Sequence, residues 1–467
     1  MIRRVTLAAT LLLAGCAVGP NYQRPAPLVD PQVKLTEAAH NPAVSEAAPP
    51  SRWWHLYEDA ELDRLIAQAF AKNTDIRVAI ANLERARATL GEARSAQLPT
   101  IGTTAQVDRE RLSVSQSGAK FNTDYFAGGF SAAYEVDLFG RVRRSVEAAN
   151  GDAAVADANL DAVRVSVAAE TAQAYAQACG YAAQADVARE TEALQRRTLD
   201  LTKRLFNAGR DTRSQVDQLE VLVEQSAAQV PVFESQRRQS LYALAVLTGD
   251  APNAILDSAA ARCNVVPLVK QPLPVGDGRS LLARRPDVRQ AERAFAADTA
   301  RIGVATAALY PSISLLGSAS LGATKLSDLG SANALSYSFG PFISWNFPLL
   351  GPARARVRES KAVANGTLAK FDGTLLTALK EAEQALARLQ GAEQNEQALA
   401  RAVVASDDAA RLSKLRYDYG ADSFLQLLDI ERQRATTRAA LAQARANRAD
   451  AQIGVFKALG GGWEDAR

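Results

Sequence analysis

The chain has 467 residues, enough for more than one domain or one large extended one. It is 48% hydrophobic but only 6% aromatic, so Ala, Leu and Val carry most of the apolar content, a composition that favours helix. With 54 basic residues against 51 acidic ones, a net charge of +3 and no dense Lys/Arg patch beside stacking aromatics, it makes no case for a nucleic-acid partner.

The N-terminus reads as an export signal. Arg3 and Arg4 form a positive region, Val5 to Leu13 a short apolar region too brief to span a bilayer as a helix. Leu13-Ala14-Gly15-Cys16 follows and resembles the lipobox of bacterial lipoproteins. That resemblance implies cleavage before Cys16 and covalent diacylglyceryl and N-acyl lipid on it, an anchor worth about 0.8 kcal/mol per buried CH₂. Ala17, rather than Asp, follows the Cys, which by the same resemblance directs the protein to the outer membrane. Cys179 and Cys263 are far apart; an oxidising periplasm permits a disulfide, but small buried roles for the two are the simpler expectation.

Residues 17–52 are rich in Pro and Ala and read as an extended arm rather than a packed unit. Leu62, Leu65, Ile66 and Phe70 have helical spacing from about Asp59, and a second helical pattern runs from about Asp75 to Gln97, stopped by Pro99. From Thr100 to Phe139 the period becomes two. Phe126, Gly128, Phe130, Ala132, Tyr134, Val136 and Leu138 alternate with a smaller, more polar set, and Thr100 to Val114 is a polar partner strand. Arg141 to Asn207 then reads as one helix of about 100 Å at 1.5 Å per residue, with Leu160, Val163, Val167, Thr171, Ala174 and Ala178 on one face. That length points to a coiled-coil rod. Gly209 ends it, and Thr212 with Gln215 forms a capping box for a helix running to about Leu247. Residues 249–280 are Pro- and Gly-rich and irregular, with one short strand expected over Asn264–Val269.

The programme then repeats. Thr74-Asp75-Ile76-Arg77 is echoed by Pro286-Asp287-Val288-Arg289, and Leu98-Pro99-Thr100-Ile101 by Tyr310-Pro311-Ser312-Ile313, 212 residues on. Gly209, Gln215 and Glu220 return as Gly420, Gln426 and Glu431, at an offset of 211. In the second strand pair, Ile313, Leu315, Gly317, Ala319 and Leu321 share one face, as do Leu335, Tyr337, Phe339, Pro341, Ile343, Trp345 and Phe347. The opposite face is mostly Ser and Gly. Two strands per repeat, with no second sheet to cover the greasy face, fit lipid outside and water inside, with Tyr337, Phe339 and Trp345 candidates for an aromatic girdle. After the signal there is no run of about 18 apolar residues for a spanning helix, so a membrane part has to be a closed barrel. Four strands cannot close one; three copies give a twelve-stranded barrel wide enough for an aqueous lumen.

In order and spacing the chain resembles the TolC-like outer membrane factor family, in its lipoprotein, NodT-type branch serving resistance–nodulation–division efflux pumps. The marks are Cys16, Trp53-Trp54, Pro99 and Pro311 at strand entries, Asp137-Leu138-Phe139-Gly140-Arg141, and Gly420 leading into Leu425-Gln426-Leu427-Leu428-Asp429-Ile430-Glu431-Arg432. The resemblance implies a mainly α protein with a membrane β-barrel: a homotrimer in the outer membrane, a long α-helical barrel through the periplasm, and a tip that opens when a periplasmic adaptor and an inner-membrane pump dock. The segments are then a signal peptide over 1–15, a lipidated arm with the first helices over 16–98, and barrel hairpins over 99–140 and 311–350. Long periplasmic helices cover 141–250, an equatorial insert 251–285 and the second-repeat helix 286–310. Long helices carrying the gate cover 351–458 and a C-terminal tail 459–467. Leu425, Asp429 and Arg432, at i, i+4 and i+7, align with the family's closing residues: an apolar constriction, an acidic ring and an arginine bridging to neighbours. Asp211, Asp217 and Glu220 occupy the equivalent turn of the first repeat and are candidate tip contacts, and Phe126, Phe130, Tyr134, Tyr337, Phe339 and Trp345 are candidate lipid-facing residues.

Nothing in the sequence speaks for an enzyme, a metal site or a cofactor: GxSxG, Walker, HExxH and paired CxxC patterns are missing, and the two His fall near the N-terminus. The expected function is passive conduction of small molecules such as drugs out of the cell. The alternatives are the outer-membrane duct of a type I protein secretion system and a channel-free adaptor coiled coil.

Overall fold

The computed structural model describes residues 17–26, 35–39, 41–112, 121–345, 347 and 350–463; the signal segment and Cys16 lie outside them. In chain order the helices are α1 (Thr36–Ala39), α2 (Ala60–Lys72), α3 (Thr74–Ser95), α4 (Arg141–Asn207), α5 (Arg213–Thr248), α6 (Gly278–Arg284), α7 (Pro286–Ala307), α8 (Gly351–Asp418) and α9 (Phe424–Ala458). The strands are β1 (Val44–Ser45), β2 (Thr100–Leu112), β3 (Phe121–Val136), β4 (Leu273–Pro274), β5 (Ser312–Ala323) and β6 (Leu335–Ser344). The repeat expected from sequence is present element by element: α3 and α7 each have 22 residues, α4 and α8 have 67 and 68, and α5 and α9 have 36 and 35. The unbroken α4 is the long helix that its Pro-free, Ala-rich sequence predicts.

The chain forms two compact units. The first holds residues up to Ala26, Asn82–Asp157 and Gln290–Asp372. It carries one four-stranded antiparallel sheet in the order β2-β3-β5-β6, so the two hairpins join into a single sheet through β3 and β5. In its helical part, Gly151 lets α4 approach α7 closely: a Cβ there would lie 2.8 Å from that of Ala297. Asp152 and Arg301 pair across the same contact (2.6 Å).

The start of the arm departs from expectation, because it is docked. The Val18 amide donates to the Phe139 carbonyl (3.1 Å), buried Arg144 donates to Asn21 (2.6 Å), and Tyr22 donates to Glu292 (2.9 Å) and meets Phe295 edge-on. Extended Pro-rich backbone makes no internal ladder, so its polar groups are satisfied by the helices it crosses.

The second unit holds Pro27–Ala81, Ala158–Arg289 and Gly373–Arg467. Its core centres on Trp53, 1% exposed, stacked on Phe456 at 4.8 Å and edge-on to Trp54. Leu62, Leu65 and Ile66 of α2 pack there with the Ala-rich middle of α4, Leu241 and Leu244 of α5, and Leu386 and Leu389 of α8. Asp59 caps α2, accepting from the Glu61 and Leu62 amides, and its other oxygen accepts from Tyr175 (3.0 Å). The arm is held here too: Leu35 is buried, the Thr36 and Glu37 amides donate to Glu383, and β1 pairs in parallel with β4.

Two further expectations are corrected in this unit. Residues 264–269 form no strand. Pro267 removes a ladder donor, and the Val269 amide and carbonyl are both taken by the side chain of Gln452, itself 1% exposed, at 3.0 Å each. And Cys179 and Cys263 are not separate small residues but a disulfide, Cα–Cα 5.0 Å, which ties the irregular segment to α4.

Candidate functional site

Two features stand out as candidates: the faces of the sheet and the paired helix turns at Gly209 and Gly420. The sheet register places Thr103, Phe130, Ala319 and Tyr337 directly across from one another, and likewise Ile101, Ala132, Gly317 and Phe339. Because side chains alternate along every strand, one face collects Val107, Phe126, Phe130, Tyr134, Leu315, Leu321, Tyr337, Phe339 and Ile343. Phe130 is 67% exposed and Tyr337 and Phe339 are 82% exposed, whereas Phe126 and Tyr134 are half-buried. The opposite face is dominated by Ser, Thr, Ala and Gly, with Ser318 paired to Ser338 and Ser320 to Ser336 at 2.9 Å, and also holds the exposed Tyr125, Leu316 and Phe342. An exposed sheet that is aromatic on one side and hydroxylic on the other suits two solvents at once. Trp345 lies just past the end of β6, its ring beside Phe347 and its indole N–H donating to the Leu309 carbonyl (3.3 Å). β2 and β6 are edge strands in this chain.

The two turns share one design. Gly209 has φ of 72° and Gly420 φ of 75°, the left-handed conformation in which glycine closes a helix. In each, two amides reach back: Gly209 to Phe206 and Arg210 to Leu205, Gly420 to Tyr417 and Ala421 to Arg416, all at 2.8–2.9 Å. Thr212 then caps α5 through the expected box with Gln215, and Ser423 caps α9 through the Gln426 amide. An apolar cluster of Leu199, Val216, Leu219, Leu222, Val223, Phe424 and Leu428 packs the restarting helices together. Tyr417 donates to Asp211 (3.2 Å) and so links the turns, a contact that sequence reasoning did not foresee. Burial, then the Asp211 carboxylate, pushes its hydroxyl up to about 12, keeping it a donor. The available signal was Phe206, an aromatic at the equivalent place one repeat earlier.

The sequence-predicted polar residues divide. Asp211 is engaged by Tyr417, Asp217 pairs with Arg213 (2.9 Å) and Glu220 with Lys203 (3.1 Å); all three are occupied within the chain. Leu425, Asp429 and Arg432 instead form an exposed strip on α9, Leu425 at 65% exposure. Among the described residues, neither the Asp429 carboxylate nor the Arg432 guanidinium is engaged by an ion pair. Two and six residues past Arg432, Arg434 and Arg438 clamp Asp407 of α8 at 2.8–3.0 Å. Burial works against that charge, but the Arg438 and Arg434 guanidiniums overcome it and hold the carboxyl below its usual range. Thus α9 is bolted to α8 just beyond a strip that is left free.

Among the described residues no His/Cys/Asp/Glu cluster is arranged to hold a metal ion, and no helix is long and apolar enough to cross a membrane. The chain matches the family model described as outer membrane efflux protein twice, over residues 65–250 and 278–461, one match per repeat. It is 31% identical to the outer membrane protein OprJ of Pseudomonas aeruginosa, over 99% of this chain and 96% of that one. It is likewise 31% identical to nodulation protein T of Rhizobium leguminosarum bv. trifolii, over 95% and 93%. The solved structure of the outer-membrane channel OprN superposes with a TM-score of 0.89 at 33% identity, covering 96% of this chain and all of that one.

Proposed function

The chain belongs to the outer membrane efflux protein family, and from that premise we propose that it is the exit duct of a tripartite efflux system, trimeric, anchored by lipid on Cys16, and gated at the turns around Gly209 and Gly420. Family membership sets aside the channel-free coiled coil. The observation that carries the reading is the one-sided sheet. Its aromatic face belongs in hydrocarbon and its Ser/Gly face beside water, and its free edges, on β2 and β6, would leave backbone groups unpaired in lipid. Edge-to-edge joining of copies removes both free edges and encloses the hydroxylic face. Small molecules then pass down a lumen without chemistry, handed on by an adaptor and a pump.

The gate follows from the free strip on α9. Repeated by symmetry, Leu425 makes an apolar constriction and Asp429 a ring of carboxylates, with Arg432 available to a neighbouring subunit because no ion pair with a described residue of its own chain engages it. In a poorly hydrated constriction such contacts are stronger than at an open surface. The test is Asp429→Ala with Arg432→Ala in planar bilayers. Single-channel conductance at rest rises by at least about twofold, and bulky antibiotics gain entry in cells. A resting conductance equal to wild type removes the gate from this strip.

A further inference from the structure

Between α4, α5 and α9 lies a cleft of about 470 Å³, within the range of small-molecule sites. We propose that this cleft binds a small amphipathic anion, an aromatic or aliphatic carboxylate, with Arg432 as its counter-charge. The inference rests on the cleft itself; a guanidinium that holds the ligand is not at the same moment bridging a neighbouring subunit, so ligand binding and the gate contact exclude one another at Arg432.

Two features of the wall specify the ligand. Among the described residues Arg432 is the one charged residue lining it, and its guanidinium is engaged by no ion pair, so the wall itself offers a positive charge. Guanidinium binds carboxylate through two parallel donors. Leu222 and Phe233 supply an apolar patch for the body of the ligand. Gln195, also in the wall, is already taken up, accepting from the Ser226 hydroxyl (2.7 Å). An anionic head and an apolar body are therefore the complement of this wall.

The experiment uses the full-length protein in lipid nanodiscs and 6-fluoro-2-naphthoate as the probe, followed by ¹⁹F NMR against empty nanodiscs. Saturable binding is expected, weakened about tenfold or more by Arg432→Ala and several-fold by Phe233→Ala. The uncharged methyl ester should show no saturation. Leu425→Ala, next to Arg432 on the strip but outside the cleft, should bind as wild type does. Variants are compared as SDS-resistant oligomers, so a loss of binding is not a loss of fold. Partition indistinguishable from empty nanodiscs overturns the proposal, as does an Arg432→Ala affinity equal to wild type. Equal weakening by Leu425→Ala also overturns it, since affinity would then follow the state of the tip and not this wall.

Discussion

Asp450 of α9 shows how a single side chain can set a pH dependence that no motif announces. Burial raises its carboxyl from 3.8 to about 6, against the opposing pull of a hydrogen bond from Gln177. Folding therefore disfavours its charged form. The penalty is present in full above about pH 6, shrinks as pH falls, and is gone below about pH 4, where the group is neutral in both states. Asp450→Asn should raise the melting temperature by about 1–3 °C at pH 7.5 and by only about a third as much at pH 4.5, read by intrinsic fluorescence. An equal shift at both values would deny the titration. Residues of this kind are illegible in sequence, because their environment is assembled from distant segments. The exposed strip was legible because Leu425, Asp429 and Arg432 sit on one helix at helical spacing. The occupied state of Asp211, Asp217 and Glu220 was not, since two of their partners lie across turns.

Among the elements, the irregular segment between α5 and α6 depends most on a covalent tie. Closing an 84-residue separation through Cys179 and Cys263 removes unfolded-state freedom worth about 4–5 kcal/mol in the chain-entropy account. Reduction of wild type should lower its denaturant midpoint to that of the Cys179→Ser, Cys263→Ser double variant, and the double variant should be indifferent to reductant. Coincident oxidised and reduced curves for wild type would contradict this. Helix ends and strand starts could be read from sequence because local signals mark them: Pro99 and Pro311 before strands, Gly209 and Gly420 after helices, Thr212 at a cap. The expected strand at 264–269 failed because Val265, Val266 and Val269 have the right composition while the partner of that backbone, Gln452, is a side chain some 180 positions away. The docked arm escaped notice for the same reason.

For the assembled molecule, the decisive property is which face of the sheet meets lipid. Phe339→Lys places a charge on the aromatic face and should cost about 2–4 kcal/mol toward the bilayer midplane, seen as loss of SDS-resistant oligomer after refolding into vesicles. Ser338→Lys, one residue away on the hydroxylic face, should assemble normally. Equal damage from both would remove the one-sided reading. That reading was available from sequence because a period of two is unambiguous over ten residues. What sequence left open was that the hairpins are neighbours, the pairing of β3 with β5 from Phe126↔Ala323 to Val136↔Ile313. This seam is where the two repeats meet. In a half-length protein bearing one hairpin, the same pairing would form only between separate molecules, at a rate and yield set by their concentration. Held on one polypeptide, it becomes an internal event with an effective local concentration independent of expression level, so duplication halves the number of encounters that stand between newly made chains and a sealed ring.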